Sequence, residues 1–410
     1  MGKMIDSYID NLYSNRGLSN IMTVEHRSNN PKRDFLFCNK EQGKHIPVSP
    51  SEAFDMFDEL AFSVEQALQG RKVVVVGFAE TATAIGGYIA DHLSSCVYYL
   101  QTTRENCAPM KSVIEFSEEH SHATEQYLYG AIESIPEFDY ILFVDDEIST
   151  GKTIINFIEA FKGIKGGIDF GVASVCNWQN DDNKAIYGNM HIDTFALITG
   201  TLKDAGMKMN VNIETDVTEY AFNGECQCGG DCKCGGTCKC NEAWTREIHV
   251  SHYNPFMLER TGRVPCDNDY KNLVNTITTF ALNFVGNAEK VLVLGTEEFM
   301  YIPMLVGEQI ESWGKTVYCH ATSRSSIDII EGNDGVIYDG IVNKHKLHSA
   351  YDAERVTYIY NLREYDHVLI VSDANMTSEF KKDIVAALID AGNKKDNITF
   401  LTVGQATNKK

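Results

Sequence analysis

Two adjacent aspartates, Asp145 and Asp146, close an apolar run in the stretch "YILFVDDEISTGKTI" (140–154) and are followed by Ser149, Thr150, Gly151, Lys152 and Thr153. The apolar run reads as a strand over 140–144. Ligands of parallel sheets bind beyond the carboxyl ends of the strands, so both acids arrive at a ligand edge. The loop 147–151 then turns into a helix, whose first N–H groups are unpaired and carry the positive end of the helix dipole. With the Ser149, Thr150 and Thr153 hydroxyls, and close backbone approach at Gly151, that turn is a monophosphate cradle. Two carboxylates would repel phosphate. They therefore face something else, sugar hydroxyls or a hydrated Mg²⁺.

Two common phosphate motifs are excluded. A P-loop needs glycine five residues before Gly151, and position 146 is Asp. No G-x-G-x-x-G follows any apolar run, so the dinucleotide fingerprint is missing as well.

The elements that position this loop are readable nearby. "SPSE" at 49–52 has the form of a capping box, with Pro50 at the first helical position. The helix it opens runs near 51–69, with Phe54, Phe57, Leu60, Ala61, Val64 and Leu68 on one face. "KVVVVGFAETATAIGGYIADHL" follows as a buried strand, a turn at Gly77 and a helix. Residues 1–48 show no clear period. Alternating strands and helices predict a parallel α/β sheet covered on both faces.

That order of elements returns. Residues 289–310 resemble 71–93, 317–326 resemble 97–106, and 366–388 resemble 139–161, which predicts two copies of one α/β unit. The copies differ at the loop: Ser372 stands for Asp145, Ser378 for Gly151 and Glu379 for Lys152. The second copy keeps the strand and loses the cradle.

The chain has 410 residues and a formal net charge of −21, a sign that repels nucleic acid. It has no apolar stretch of membrane-spanning length and no secretory h-region, so a cytoplasmic protein without a membrane partner is expected. Six of its twelve cysteines are isolated and read as buried thiols in a reducing compartment. The others, Cys226, Cys228, Cys232, Cys234, Cys238 and Cys240, repeat as Cys-x-Cys-Gly-Gly-x. That run is either a low-complexity insert or a cluster for Zn²⁺ or Cu⁺. Expected boundaries are 1–214, an insert at 215–245, and 246–410.

"ILFVDDEISTGKT" resembles the 5-phosphoribosyl-1-diphosphate (PRPP) motif of type I phosphoribosyltransferases. "NPKRDFLFCNKEQGKHIPVSP", "LQTTRE" and "FSEEHSHATEQ" extend the resemblance to the orotate-phosphoribosyltransferase-like enzymes of tellurite- and stress-resistance gene clusters, which carry a C-terminal TRSP domain. The resemblance implies a type I phosphoribosyltransferase fold followed by a degenerate second copy. It implies PRPP with Mg²⁺ as donor, an unidentified base-like acceptor and nucleotide-like products, and leaves room for a homodimer. Residue by residue, it sets Asp145 and Asp146 on the ribose hydroxyls and Ser149–Thr153 on the 5′-phosphate. Ala79, Glu80 and Thr81 go beside the pyrophosphate, with Thr103 and Arg104. The acidity of Glu80 sits poorly there unless a metal intervenes. Residues 105–135 stand where these enzymes carry a closing lid, with Lys111, His120 and His122 as lid candidates. A non-catalytic PRPP or nucleotide sensor on the same fold is the rival reading. A separate ligand site in the second copy would use Glu297, Glu298, His320 and Arg324.

Overall fold

The computed structural model describes residues 8–14, 16–27, 33–107, 112–117, 125–130, 135–163, 165–203, 209, 218–219, 246–250, 258–330 and 340–404. The first sheet is built from Ile9–Ser14 (β1), Val73–Gly77 (β4), Cys96–Thr103 (β5), Ser112–Ser117 (β6), Glu125–Tyr129 (β7), Tyr140–Ile148 (β8), Asp169–Asn177 (β9) and Ile192–Leu202 (β10). Met22–His26 (β2) and Phe35–Asn39 (β3) form a separate antiparallel hairpin. The order in the first sheet is β1-β10-β9-β8-β4-β5-β7-β6. Its five middle strands are parallel, and β1, β6 and β7 join antiparallel at the edges. The valine run of β4 is buried throughout, as a strand covered on both faces requires.

The second half contains Thr218–Glu219 (β11), Arg246–Val250 (β12), Lys290–Gly295 (β13), Thr316–Ala321 (β14), Lys344–His348 (β15), Val356–Tyr360 (β16), His367–Ser372 (β17) and Ile398–Val403 (β18). Its main sheet, β12-β18-β17-β13-β14, is wholly parallel. This order repeats β10-β9-β8-β4-β5 strand for strand. Each of the three sequence matches falls on equivalent strands: β4 on β13, β5 on β14, β8 on β17. The helices agree too, Pro50–Leu68 with Asn268–Val285, Thr83–His92 with Tyr301–Ser312, and Lys152–Lys162 with Ser378–Asp390. Even the hairpin between β5 and β8 has a counterpart, since β15 and β16 pair antiparallel between β14 and β17. Only β12 departs from the chain order, because it precedes its sheet whereas β10 ends its own.

The helix over Pro50–Leu68 is capped as expected, with the Ser49 hydroxyl accepting the Glu52 N–H at 3.3 Å. Glu52 returns to the Ser49 hydroxyl at 2.8 Å rather than to its backbone. All six of its expected apolar residues are buried. Two expectations need correction, and a third span gains detail. Residues 1–48 contain β1 and the β2–β3 hairpin, whose alternation is too short to stand out from a polar context. The span 105–135, where a lid is expected, contains the hairpin β6–β7. Of the isolated cysteines, Cys96 is half-buried and Cys266 exposed, while Cys38, Cys107, Cys176 and Cys319 are buried.

One hydrophobic core runs through both halves. Phe54 stacks near Tyr88 at 5.0 Å and Tyr301 at 6.5 Å between ring centres. The helices approach closely at Gly87, where a Cβ would come within 2.5 Å of the Tyr301 ring. Gly87→Val should therefore destabilise the chain by about 1–3 kcal/mol through overpacking. Gly166→Ala, where a Cβ meets nothing within 4 Å, should change stability by less than about 0.5 kcal/mol. Urea unfolding of the two variants compares them directly; equal effects would contradict this packing.

Candidate active site

β8, β4 and β5 are neighbours, and their carboxyl ends gather the candidate side chains at one edge. The Phe78 N–H donates to Val144 O at 2.9 Å, which starts the 78–82 loop beside Asp145. The Ala79 N–H donates to the Thr102 hydroxyl at 2.8 Å, which ties that loop to the end of β5. Thr102 in turn donates to Gln126 Oε1 on β7 at 2.7 Å. Gln126 sets the hairpin base against the loop, a contact no local motif announces.

The strand carrying the acids is longer than expected. β8 continues through Asp145 and Asp146 to Ile148, because β9 stays paired alongside as far as Asn177. The Asp146 N–H donates to Asp145 Oδ1 at 2.9 Å, and both side chains are half-buried. Burial, with the neighbouring Glu147 charge adding to it, pushes the Asp146 carboxyl up to about 6, against the opposing hydrogen bond from Asp145. Glu147 itself is held by Arg33 at 2.8 Å, and that guanidinium lies over Phe35 at 4.5 Å. The β2–β3 hairpin thus carries its cation to the rim of the acid pair.

The connecting loop shrinks to 149–151. Gly151 has φ 72°, and a Cβ there would strike the Tyr187 hydroxyl at 2.3 Å. Tyr187 donates to Gly151 O at 3.1 Å. Gly151 begins the helix Lys152–Lys162 with no side-chain cap, and the Lys152 N–H donates to the Thr150 hydroxyl at 3.4 Å. Ser149, Thr150 and Thr153 are half-buried around it. A helix N-terminus of this kind presents backbone donors and the positive end of its dipole, a setting that suits an anion.

The second copy resolves the same positions differently. Its helix Ser378–Asp390 is capped by Thr377, whose hydroxyl accepts the Phe380 N–H at 3.2 Å, and Glu379 puts a negative charge in the first turn. Asp373, which occupies the place of Asp146, accepts from the Tyr351 hydroxyl at 2.7 Å and faces Arg260 at 3.5 Å. Arg260 is fully buried and lies 4.6 Å from the Tyr351 ring centre. This edge is filled by its own side chains.

Glu80 is buried, and its charge is met from within the protein by Lys44 Nζ at 2.5 Å and Arg104 Nη1 at 3.6 Å. Its acidity therefore needs no intervening metal, and its side chain turns towards the second copy. Lys44 also donates to Glu297 O at 2.7 Å and Thr322 O at 2.8 Å, while Gln42 donates to Thr81 O at 2.6 Å. Neither residue stood out in the sequence, because isolated polar residues in an aperiodic stretch carry no spacing signal. Thr103 and Arg104 do reach the edge, but the Thr103 hydroxyl and the Arg104 N–H are both bound by Glu298, at 2.6 and 2.8 Å.

Glu297, Glu298, His320 and Arg324 do not surround an open site. Arg324 pairs with Glu297 at 2.6 Å and with Glu105, and the His320 ring faces the carbonyls of Tyr360 and Gly43 at 2.7 and 3.4 Å. Glu297, Glu298 and His320 are buried and Arg324 half-buried at the seam between the copies, where each finds its partner. Lys111, His120, His122 and the cysteines from Cys226 to Cys240 lie outside the described residues. Among the described residues, no group of three or more His, Cys, Asp or Glu is arranged to hold a metal ion, and no helix is long and apolar enough to cross a membrane.

Comparison with known proteins gives the geometry a family. A family model described as phosphoribosyl transferase matches residues 21–201, and the TRSP domain that lies C-terminal to it matches residues 260–388. No curated protein matches the chain. Similar solved structures include adenine phosphoribosyltransferase from Rhodothermus marinus, at 18% identity over 45% of this chain and 97% of that one, TM-score 0.34. The Giardia lamblia enzyme complexed with 9-deazaadenine is 14% identical over 45% and 97%, TM-score 0.34. Orotate phosphoribosyltransferase from Aeropyrum pernix is 16% identical over 48% and 92%, TM-score 0.29. With its two family matches together spanning most of its length, the chain belongs to the phosphoribosyltransferases that carry a C-terminal TRSP domain.

Proposed function

We propose that the protein transfers the 5-phosphoribosyl group of PRPP to a base-like acceptor and releases pyrophosphate. The observation that carries this reading is the uncapped N-terminus of the helix Lys152–Lys162, set directly after the paired acids. Backbone N–H groups of 151–153, with the Ser149, Thr150 and Thr153 hydroxyls, hold the 5′-phosphate. Asp145 and Asp146 accept from the ribose 2′- and 3′-hydroxyls. Loop 79–81 and the Arg104 guanidinium, one and two strands away, are placed for the pyrophosphate.

Breaking the C1–O bond sends the bonding pair to pyrophosphate and leaves positive charge on the ribose. The acceptor atom then bonds to C1 and gives up its proton. The chain's own contribution is electrostatic: fixed donors for the leaving group on one side, and carboxylates near the ribose on the other. The oxygen donors and the Asp146 carboxyl, whose burial beside Glu147 disfavours its negative charge, suit a hard cation brought in with the substrate. Mg²⁺ bound that way would neutralise charge on the diphosphate.

Calorimetry with Mg²⁺ and PRPP tests the donor site. Asp145→Asn/Asp146→Asn should weaken binding at least about tenfold, because hydrogen bonds to charged acceptors are each worth about 1.5–3 kcal/mol. Its circular dichroism should remain native. Unchanged affinity in the folded variant would refute the assignment.

The pH dependence follows from Asp146. Its raised pKa means that the carboxyl takes up a proton as pH falls through about 6, and a protonated carboxyl accepts hydroxyl donors poorly. Affinity for PRPP should fall by up to about tenfold per pH unit below that point, and Asp146→Asn should flatten the profile. The same slope in both proteins would contradict the role of Asp146.

A further inference from the structure

The two copies repeat each other's contacts, first within each copy and then across the seam. The Ala79 N–H donates to the Thr102 hydroxyl at 2.8 Å, and the equivalent Glu297 N–H donates to the Thr322 hydroxyl at 3.0 Å. The Glu80 carboxylate accepts the Arg324 N–H at 3.3 Å, and the equivalent Glu298 carboxylate accepts the Arg104 N–H at 2.8 Å. Arg104 and Arg324 are themselves equivalent, each following the strand next to its copy's glutamate loop. Residue i meeting j while j meets i is the pattern of an isologous two-fold interface. Here both halves belong to one chain.

The exchange is unequal. Glu80 reaches Arg324 through one long backbone contact, whereas Glu298 holds the first copy through two short ones, the Arg104 N–H and the Thr103 hydroxyl at 2.6 Å. Glu298 is fully buried, and its far side is closed by Arg260 Nε at 3.1 Å. Its main-chain carbonyl also accepts from the Thr83 hydroxyl at 2.9 Å, at the start of the helix that follows the 78–82 loop. One residue of the second copy therefore grips the Thr103–Arg104 segment directly and, through Thr83, the helix start that follows loop 79–81. The hydrogen bonds and ion pairs of Glu298 given above go to the end of β5, to Thr83 and to Arg260, whereas the acid pair and the 149–153 turn follow β8, two strand spacings from β5 (about 10 Å).

We infer that Glu298 is a positioning residue for the pyrophosphate half of the donor site, so that this half is built jointly by the two copies while the 5′-phosphate half is built by the first copy alone. The inference rests on the donor-site reading above. A guanidinium stabilises a leaving diphosphate only if its backbone is fixed, because a displacement of about 1 Å forfeits much of the benefit of orientation. Glu298 fixes Arg104 at its N–H, and Glu80 restrains the guanidinium at 3.6 Å. The TRSP copy, whose own edge is filled, thereby serves the site of its neighbour.

The test uses the full chain and three probes with Mg²⁺ in calorimetry: PRPP, pyrophosphate and ribose 5-phosphate. Glu298→Gln should weaken PRPP and pyrophosphate at least tenfold and leave ribose 5-phosphate within twofold. Glu298→Asp, which keeps the charge but withdraws it by one methylene, should show the same selectivity and serves if the glutamine variant does not fold. Equal weakening of all three probes would mean a merely structural role and overturn the inference, as would no weakening of any. Wild type that binds PRPP beside an unselective variant defeats this inference alone. Wild type that binds none of the three defeats the donor-site reading with it.

Discussion

Carboxylates buried at the seam between two sheets must each find a cation, and much of this molecule's architecture answers that demand. Removing an ion from water costs several kcal/mol even after relaxation, and leaving one partner unpaired costs about 3–5 kcal/mol. Lys44 meets Glu80, Arg260 lies between Glu298 and Asp373, and Arg324 and Arg355 share Glu297 and Glu105. Burial pushes the Glu298 carboxyl up, but Arg260 and Arg324 outweigh it and hold that group below its usual range. Among them, Arg324 and Arg355 of the second copy reach Glu105 of the first, so these charges help fix the relative placement of the two copies. The apolar helix contacts at Gly87 and Tyr301 supply burial. The charges supply registration.

Two copies of one unit have taken different courses on that shared frame. The first keeps both acids, the glycine at φ 72° and a helix start without a side-chain cap. The second has Ser372 in place of one acid, caps its helix with Thr377, and presses Arg260 against the acid it retains. In the second copy the helix start and the retained acid are met by that copy's own Thr377, Arg260 and Tyr351. A phosphate entering at Glu379 would meet a negative charge, and a sugar approaching Asp373 would have to displace Arg260 and Tyr351. The two copies thus differ in capping, charge and burial on sheets of the same spatial strand order.

What could be read from residue types reflects how local each cause is. Strands β4, β8, β13 and β17 are continuous apolar runs, so their existence and their pairing into repeats were legible. The turn at Ser149–Thr153 was legible because its chemistry is contiguous in sequence. The extension of β8 to Ile148 was not, since it depends on β9 remaining alongside, a non-local fact. Glu80 looked misplaced because its partner, Lys44, is 36 residues away and aperiodic in context. Glu297, Glu298, His320 and Arg324 were correctly grouped at strand ends, yet their spacing is silent about whether those ends open to solvent or meet another sheet. Arg260, which fills the second edge, precedes its copy's first helix, where nothing in the local pattern points to a role.

The central claim is that one donor site survives per chain and that it sits at the edge of β8, β4 and β5. A crystal structure of the full chain grown with Mg²⁺ and PRPP addresses it directly. One PRPP should be found, its 5′-phosphate on the N–H groups of 151–153, its ribose on Asp145 and Asp146, and its diphosphate beside residues 79–81 and Arg104. Density for PRPP at Asp373 and Arg260, or at both edges, would contradict the account.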